Sequence, residues 1–236
     1  MRPKETEALY RMIFCRRNVR QFTSQPVAAS DLKKIRNYVS GLPKLVKQPV
    51  RLALASAEEV RADTPHCILA WCEKQPAAYA AAGFLLELCD LYVQSLGLGA
   101  GWSVSYKPKT NTEDFCIALG FGQTDVPFRN GAADFKRRIL DKPASADAKL
   151  AEAVRLAPSS LNSQPWQLKE EPGKVIIEEQ GHGWMRFLLA SKLNKIDVGI
   201  AACHAWLALQ AEGKKPDVPE NGTWNHHFAL IIPWQE

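Results

Sequence analysis

The sequence predicts an α+β fold built from two degenerate halves, each with a small sheet and one long central helix. Three observations predict it. Two long Ala-rich apolar stretches, from Pro76 to Leu96 and from about Ile196 to Ala211, each stop at a glycine, Gly97 and Gly213. Both cover more than one helical face with apolar side chains, which marks helices central to a fold. Each is preceded by a shorter helical run and then by two strand-like segments, so the order of elements repeats without residue identity, as in a worn internal duplication. The halves read as 1–140 and 147–236, forming together one compact unit, with Asp141–Ala146 as the linker between them.

Composition bounds the function. The 236 residues are 46% apolar, enough for a substantial core. A net charge of +5, from 30 basic and 25 acidic residues, is too mild to imply nucleic acid. No stretch reads as an uninterrupted membrane span, and the charged start Met1–Glu7 lacks the apolar core of a signal peptide, so a cytoplasmic protein is expected. The six cysteines have no CxxC pair and stand in apolar surroundings, as reduced core residues do. His182, His204, His226 and His227 lack ligand spacing on one helix face, and no metal site is expected.

In order along the chain, Ala8, Leu9, Met12 and Ile13 sit at helical spacing over residues 5–15. The chain then enters Arg16, Arg17, Asn18, Val19 and Arg20, a compact cationic, donor-rich site suited to bidentate phosphate binding, although a basic helix end has the same composition. Ser30-Asp31 starts a second helix, to about Ser40. Arg51–Ser56 and Cys67–Trp71 read as short buried strands. After the first long helix comes Gly97-Leu98-Gly99-Ala100-Gly101-Trp102. A dinucleotide fingerprint needs a strand before its glycines and a helix after them; here the order is reversed. These glycines read instead as a helix cap and a place of close backbone approach. Ser103, Val104, Ser105 and Tyr106 then form an extended segment with exposed amides. Thr112–Leu119 reads as a short helix, and Lys136, Arg137 and Arg138 form a second basic cluster.

The second half opens with a helix over 147–157. It runs into Ala157-Pro158-Ser159-Ser160-Leu161-Asn162-Ser163-Gln164-Pro165-Trp166. Two prolines stiffen this loop, while its hydroxyls and amides, none charged, can read a neutral planar object with donors and acceptors. A tight turn with self-bonded Ser and Asn uses the same residue types. A hairpin follows, Trp166–Lys169 and Val175–Glu178 around Glu171-Pro172-Gly173; then come a segment with Trp184 and Met185, the second long helix, and a buried strand, Phe228–Trp234.

Taken together, these segments resemble the FMN-dependent nitroreductase family. Arg16–Phe22 with Pro26-Val27 looks like its RRSxRxF…P signature, and Ala157–Trp166 like its APSSxNxQPW loop. Gly97–Trp102 is similar to its GLG turn, and Ile117–Phe121 with Lys136–Arg138 to its ALGY…KR closing segment. In ordinary members the APSS loop follows the arginine signature by a few tens of residues, and the flavin lies at a homodimer interface that draws the arginines from one subunit and the loop from the other. Here the loop lies in the second half, and that half has no arginine signature. The resemblance therefore implies a nitroreductase-like fold packed as an internal pseudodimer, a single chain with one flavin site and no need of a partner subunit. It implies FMN held by Arg16, Arg17, Asn18, Arg20, Ser103, Val104, Ser105, Lys136, Arg137, Arg138, Pro158, Ser159, Ser160, Asn162 and Gln164. Asn18 stands where the family usually has Ser. The implied activity is hydride transfer from NAD(P)H through the flavin to a small-molecule acceptor such as a nitroaromatic or quinone, with no side-chain acid or base required. A flavin-binding redox sensor without turnover is the alternative.

Overall fold

The two long helices are α3, Pro76–Ser95, and α5, Leu193–Ala211, and they cross at the centre of the molecule. The structure is a computed structural model and describes residues 3–42, 45–61, 63–138, 147–180, 192–224 and 227–236. The expected linker at 141–146, Trp184, Met185, His182 and His226 lie outside these residues. Pro76 occupies the first turn of α3, where its missing N–H costs nothing. Gly97 and Gly213 follow the two helices with φ of 83° and 85°, the left-handed conformation that closes a helix and favours glycine. α3 is long and apolar enough to cross a membrane by length and composition, which the sequence reading did not anticipate. Its side chains are spent in the core instead: Phe84, Leu86, Leu88 and Leu91 are fully buried. Each such side chain contributes roughly 1.5–3 kcal/mol through burial.

The crossing is reciprocal. A Cβ on Gly83 would lie closer than 3.0 Å to the carbonyl oxygen of Ile196, and one on Gly199 equally close to that of Ala80. The glycines let the two backbones touch. Each glycine meets the residue three positions before the other.

Each long helix packs on its own antiparallel sheet. The first sheet holds β1 (Val50–Ser56), β3 (His66–Cys72), β6 (Phe115–Gly122) and β4 (Gly99–Ser103), in the order β1-β3-β6-β4. A two-residue pair, β2 (Val60–Arg61) with β5 (Lys107–Pro108), stands beside it. In the second sheet β7 (Trp166–Glu171) pairs with β8 (Lys174–Glu179) around the Pro172-Gly173 turn, and β8 pairs with β11 (His227–Gln235). β9 (Lys215–Pro216) and β10 (Glu220–Trp224) both pair with β11. A hairpin before the long helix, a short strand just after it, and a last strand joining the two is thus the plan of both sheets. Among the described residues, the helices α1 (Pro3–Ile13), α2 (Ala29–Gly41) and α4 (Ala148–Leu156) pack around them. Asp147 caps α4 by accepting from the amides of Lys149 and Leu150.

Two local readings need correction. Residues 115–122 form the central strand β6, where a helix was expected over 112–119. Cys116 to Phe121 are buried on both faces of the sheet, so the apolar run shows no alternation, and periodicity cannot tell it from a buried helix. The extended segment also starts earlier than expected: β4 takes in Gly99 and Gly101, and the chain bends after Ser103.

Candidate functional site

The candidate site grows from the end of α1. Beyond Cys15 the chain runs beside β4, with the Val19 amide donating to Ala100 O at 2.7 Å and Asn18 Oδ1 accepting from the Trp102 amide at 3.0 Å. Gly101 makes this possible, because a Cβ there would collide with Val19 O. Arg16 turns inward and is 1% exposed. Its Nε donates to Asp90 Oδ2 at 3.1 Å, its Nη2 donates to the same oxygen, and Glu87 Oε1 lies 3.6 Å from Nε. Glu87, Asp90 and Gln94 form a polar stripe on α3 at helical spacing. Asp90 also accepts from Gln94 Nε2 at 2.6 Å and from the Trp102 indole at 3.0 Å, while Gln94 Oε1 takes the Arg17 amide at 2.8 Å. His204 of α5 closes the cluster, with Nδ1 2.8 Å from Ala153 O and Nε2 2.9 Å from Glu87 Oε1. Burial pushes the Glu87 carboxyl up, against the pull of Arg16 and His204. Arg16 thus meets buried carboxylates, where the sequence suggested an open phosphate site: its charge is already matched inside the protein.

From here a strap, residues 129–138, leads to the second half. The Arg129 amide donates to Cys15 O at 2.9 Å, and its Nη1 donates to Arg16 O. Phe135 is buried, with the Arg129 guanidinium 4.1 Å and that of Arg137 6.0 Å from its ring centre. The strap then meets the Pro158–Trp166 loop. Arg137 Nη1 donates to Asn162 Oδ1, Asn162 Nδ2 donates to Lys136 O at 2.8 Å, and the Arg138 amide donates to Gln164 Oε1 at 2.7 Å. Leu161, Asn162 and Gln164 all have positive φ, 53°, 55° and 46°. Such strain persists only where surrounding contacts over-determine it. Here the Ser159 hydroxyl accepts from the Gln164 amide at 2.9 Å, and the Ser160 amide donates to both Asp197 oxygens at 3.2 and 3.0 Å. Burial raises the Asp197 carboxyl to about 8, against the Ser160 hydrogen bonds and the Arg137 charge.

The cations crowd one another. The Arg137 guanidinium is pushed down to about 10, first by burial and then by the charges of Arg16, Arg129 and Arg155. Arg129 is lowered by burial and by Arg16 and Arg17. Among the described residues, the buried Nε groups of Arg17, Arg129 and Arg137 have no hydrogen-bond partner. An arginine N–H can only donate, so three unfilled donors among mutually repelling cations fit an anionic acceptor.

A family model described as "Putative TM nitroreductase" matches residues 8–209, from α1 to the end of α5. The chain belongs to this nitroreductase family. Among solved structures it is similar to a Thermotoga maritima protein described as "a putative nitroreductase", with a TM-score of 0.67 and 22% identity over 97% of this chain and 93% of that one. At that identity the likeness speaks for the fold. Weaker likenesses are to a nitroreductase family protein from Clostridium difficile (TM-score 0.40, 16% identity, 51% of this chain and 86% of that one) and to nitroreductase A from Vibrio parahaemolyticus (0.41, 13%, 61% and 79%). No curated protein matches the chain.

In this member of the nitroreductase family the strap and the 158–166 loop come together, and the Arg16–Arg17 segment reaches them through Arg129. Gln164 is 2% exposed, and it and Asn162 spend side-chain groups on the strap. Lys136 and Arg138 carry exposed side chains, and Arg20 is exposed. Ser103, Val104 and Ser105 form a separate surface bend, where the Ser103 hydroxyl takes the Ser105 amide at 3.2 Å and Val104 is 55% exposed. Trp102 links that bend to Asp90. Sequence reasoning missed Arg129 and Asp197, each a single charge among ordinary residues. It also missed Glu87 and Asp90, although acids at helical spacing inside an apolar helix are a readable signal.

Proposed function

We propose that this protein is an FMN-dependent oxidoreductase that carries hydride from NAD(P)H to a small oxidised acceptor such as a nitroaromatic or quinone. The observation that carries the proposal is the trio of buried, unpartnered Nε groups on Arg17, Arg129 and Arg137. They suit a phosphate dianion, which accepts several charge-assisted hydrogen bonds at once. Arg17, Arg129 and Arg137 are the residues we assign to the phosphate, with Arg20, Lys136 and Arg138 adding positive charge at the surface. Arg16 and Asn18 act at one remove, Arg16 by anchoring the loop on Asp90 and Asn18 by fixing the Trp102 amide. Asn162 and Gln164 hold the strap in register, and Ser159 and Ser160 brace the strained loop above Asp197. The ring is assigned to the Ser103–Ser105 bend and the Pro158–Gln164 loop. When bound, FMN supplies the two-electron chemistry, and the protein supplies binding, orientation and charge.

We further infer that the two halves, 1–140 and 147–236, act as fused subunits sharing one flavin site. The reciprocal Gly83 and Gly199 contacts and the repeated plan of the two sheets support this reading. The test is to measure bound FMN and solution mass on the same sample, then add NADH or NADPH without oxygen. One FMN per monomeric chain, bleached by the nicotinamide and reoxidised by menadione, is expected. A colourless protein that binds no added FMN would overturn the assignment, two FMN per chain would overturn the single shared site, and binding without turnover would leave a flavin sensor.

A further inference from the structure

A second group of reactive side chains lies at the other end of the first sheet. Ala70 pairs with Ile117 and Trp71 with Phe115, so Cys116 is the extra residue of a β-bulge. Bulges re-aim side chains. Here the bulge turns both Cys116 and Ile117 into the main core, while Phe115 and Ala118 pack in the smaller cluster on the opposite face. Cys72, on the next strand, faces that same main core. The two thiols lie on paired strands, near enough to shift each other's ionisation. The ammonium of Lys192, from the second half, donates to the Cys116 carbonyl. Cys72 and the Lys192 charge draw the Cys116 thiol down against its burial, while Cys72 is pushed up.

One thiol of the pair meets a cleft. Cys72 lines a cleft of about 800 Å³ with Arg51, Trp71, Glu73, Asn111 and Asp114 among its walls. The walls are built: the Arg51 guanidinium lies 3.7 Å from the Trp71 ring centre, the Trp71 indole donates to Asn111 O at 2.7 Å, and the Cys72 amide donates to Asp114 O at 3.1 Å. Asn111 and Asp114 both have φ of 54°, strain placed at the rim of the bulge. The other buried cysteines differ. Cys67 is pushed up to about 12 by burial, and Cys89 and Cys203, at the helix crossing, are raised by burial and by neighbouring carboxylates.

We propose that Cys72 and Cys116 are a redox-active dithiol that hydrogen peroxide, entering by the Arg51–Trp71 cleft, oxidises to a disulfide. The Cys116 thiolate attacks a peroxide oxygen and the O–O bond breaks, giving a sulfenic acid and hydroxide, which takes up a proton. The Cys72 sulfur then attacks the Cys116 sulfur; the S–S bond forms, the S–O bond breaks, and water leaves with the Cys72 proton. Two thiols and one peroxide give one disulfide and two waters; the sulfurs lose the two electrons that the peroxide gains. A small thiol reverses the step by exchange.

The experiment treats the reduced full-length protein with one equivalent of hydrogen peroxide, blocks remaining thiols with N-ethylmaleimide after unfolding, and maps the peptides by mass spectrometry. A Cys72–Cys116 cross-link is expected, with two fewer alkylated thiols than the six of the untreated chain. It should vanish in Cys72→Ser and in Cys116→Ser and be undone by dithiothreitol. Six alkylated thiols after treatment, a cross-link between Cys89 and Cys203, or oxidation confined to the half-buried Cys15 would each overturn the proposal. The wild-type map is decisive even if a variant folds poorly.

Discussion

Gly83 on α3 and Gly199 on α5 are reciprocal partners, each occupying the space against the carbonyl of the residue three before the other. Both obstacles are backbone, so no side chain can swing aside for a new methyl group. Gly83→Ala and Gly199→Ala should therefore each push the helices apart and destabilise the protein by about 1–3 kcal/mol or more. Urea unfolding checks this, and the two losses should be of similar size. An unchanged midpoint in either variant would contradict the tight crossing.

Asp90 gathers Arg16, Gln94 and Trp102 on one buried carboxylate. Asp90→Asn keeps the shape and removes the charge, leaving Arg16 buried beside a neutral amide. Breaking a buried pair in this way typically costs about 3–5 kcal/mol. Denaturant melts measure the loss. A variant as stable as the parent would mean that Glu87 alone can hold Arg16.

Arg137 separates binding from stability. Arg137→Met keeps an apolar stem near Phe135 but removes a cation that its neighbours repel. FMN affinity, read by flavin fluorescence titration, should fall by about 10- to 100-fold, the equivalent of one or two charged hydrogen bonds. The melting temperature without FMN should hold or rise. Parallel losses of both would make Arg137 a structural residue only.

Asp197 gives a pH dependence. Its carboxyl is raised from 3.8 to about 8 in the folded protein, so the native state holds a proton there that the unfolded chain releases. Stability from this group is complete below pH 4 and is lost as pH rises towards 8. Asp197→Asn should flatten that falling limb when unfolding free energies of the two proteins are compared across the range. Parallel curves would place the proton elsewhere.

Much of this was legible in the residues, for stated reasons. Pro76, Gly97 and Gly213 punctuate the long helices, and the Pro158–Trp166 loop announces itself by composition. β6 was misread because a strand buried on both faces loses the alternation that identifies strands. Arg16 looked like a ligand-facing cation because its counter-ion, Asp90, is 74 residues away and on another helix. The amides of Asn162 and Gln164 suggested ligand contacts, yet they clasp the strap; only the folded geometry shows which partner a polar side chain has chosen. Arg129 carried no local mark, since its importance comes from sitting between Cys15, Arg16 and Phe135.

The clasp of Asn162 and Gln164 on Lys136–Arg138 joins segments of the same chain. Its closure is a unimolecular event, governed by a fixed effective concentration. Dilution that would pull apart a clasp made between separate molecules leaves this one as it was.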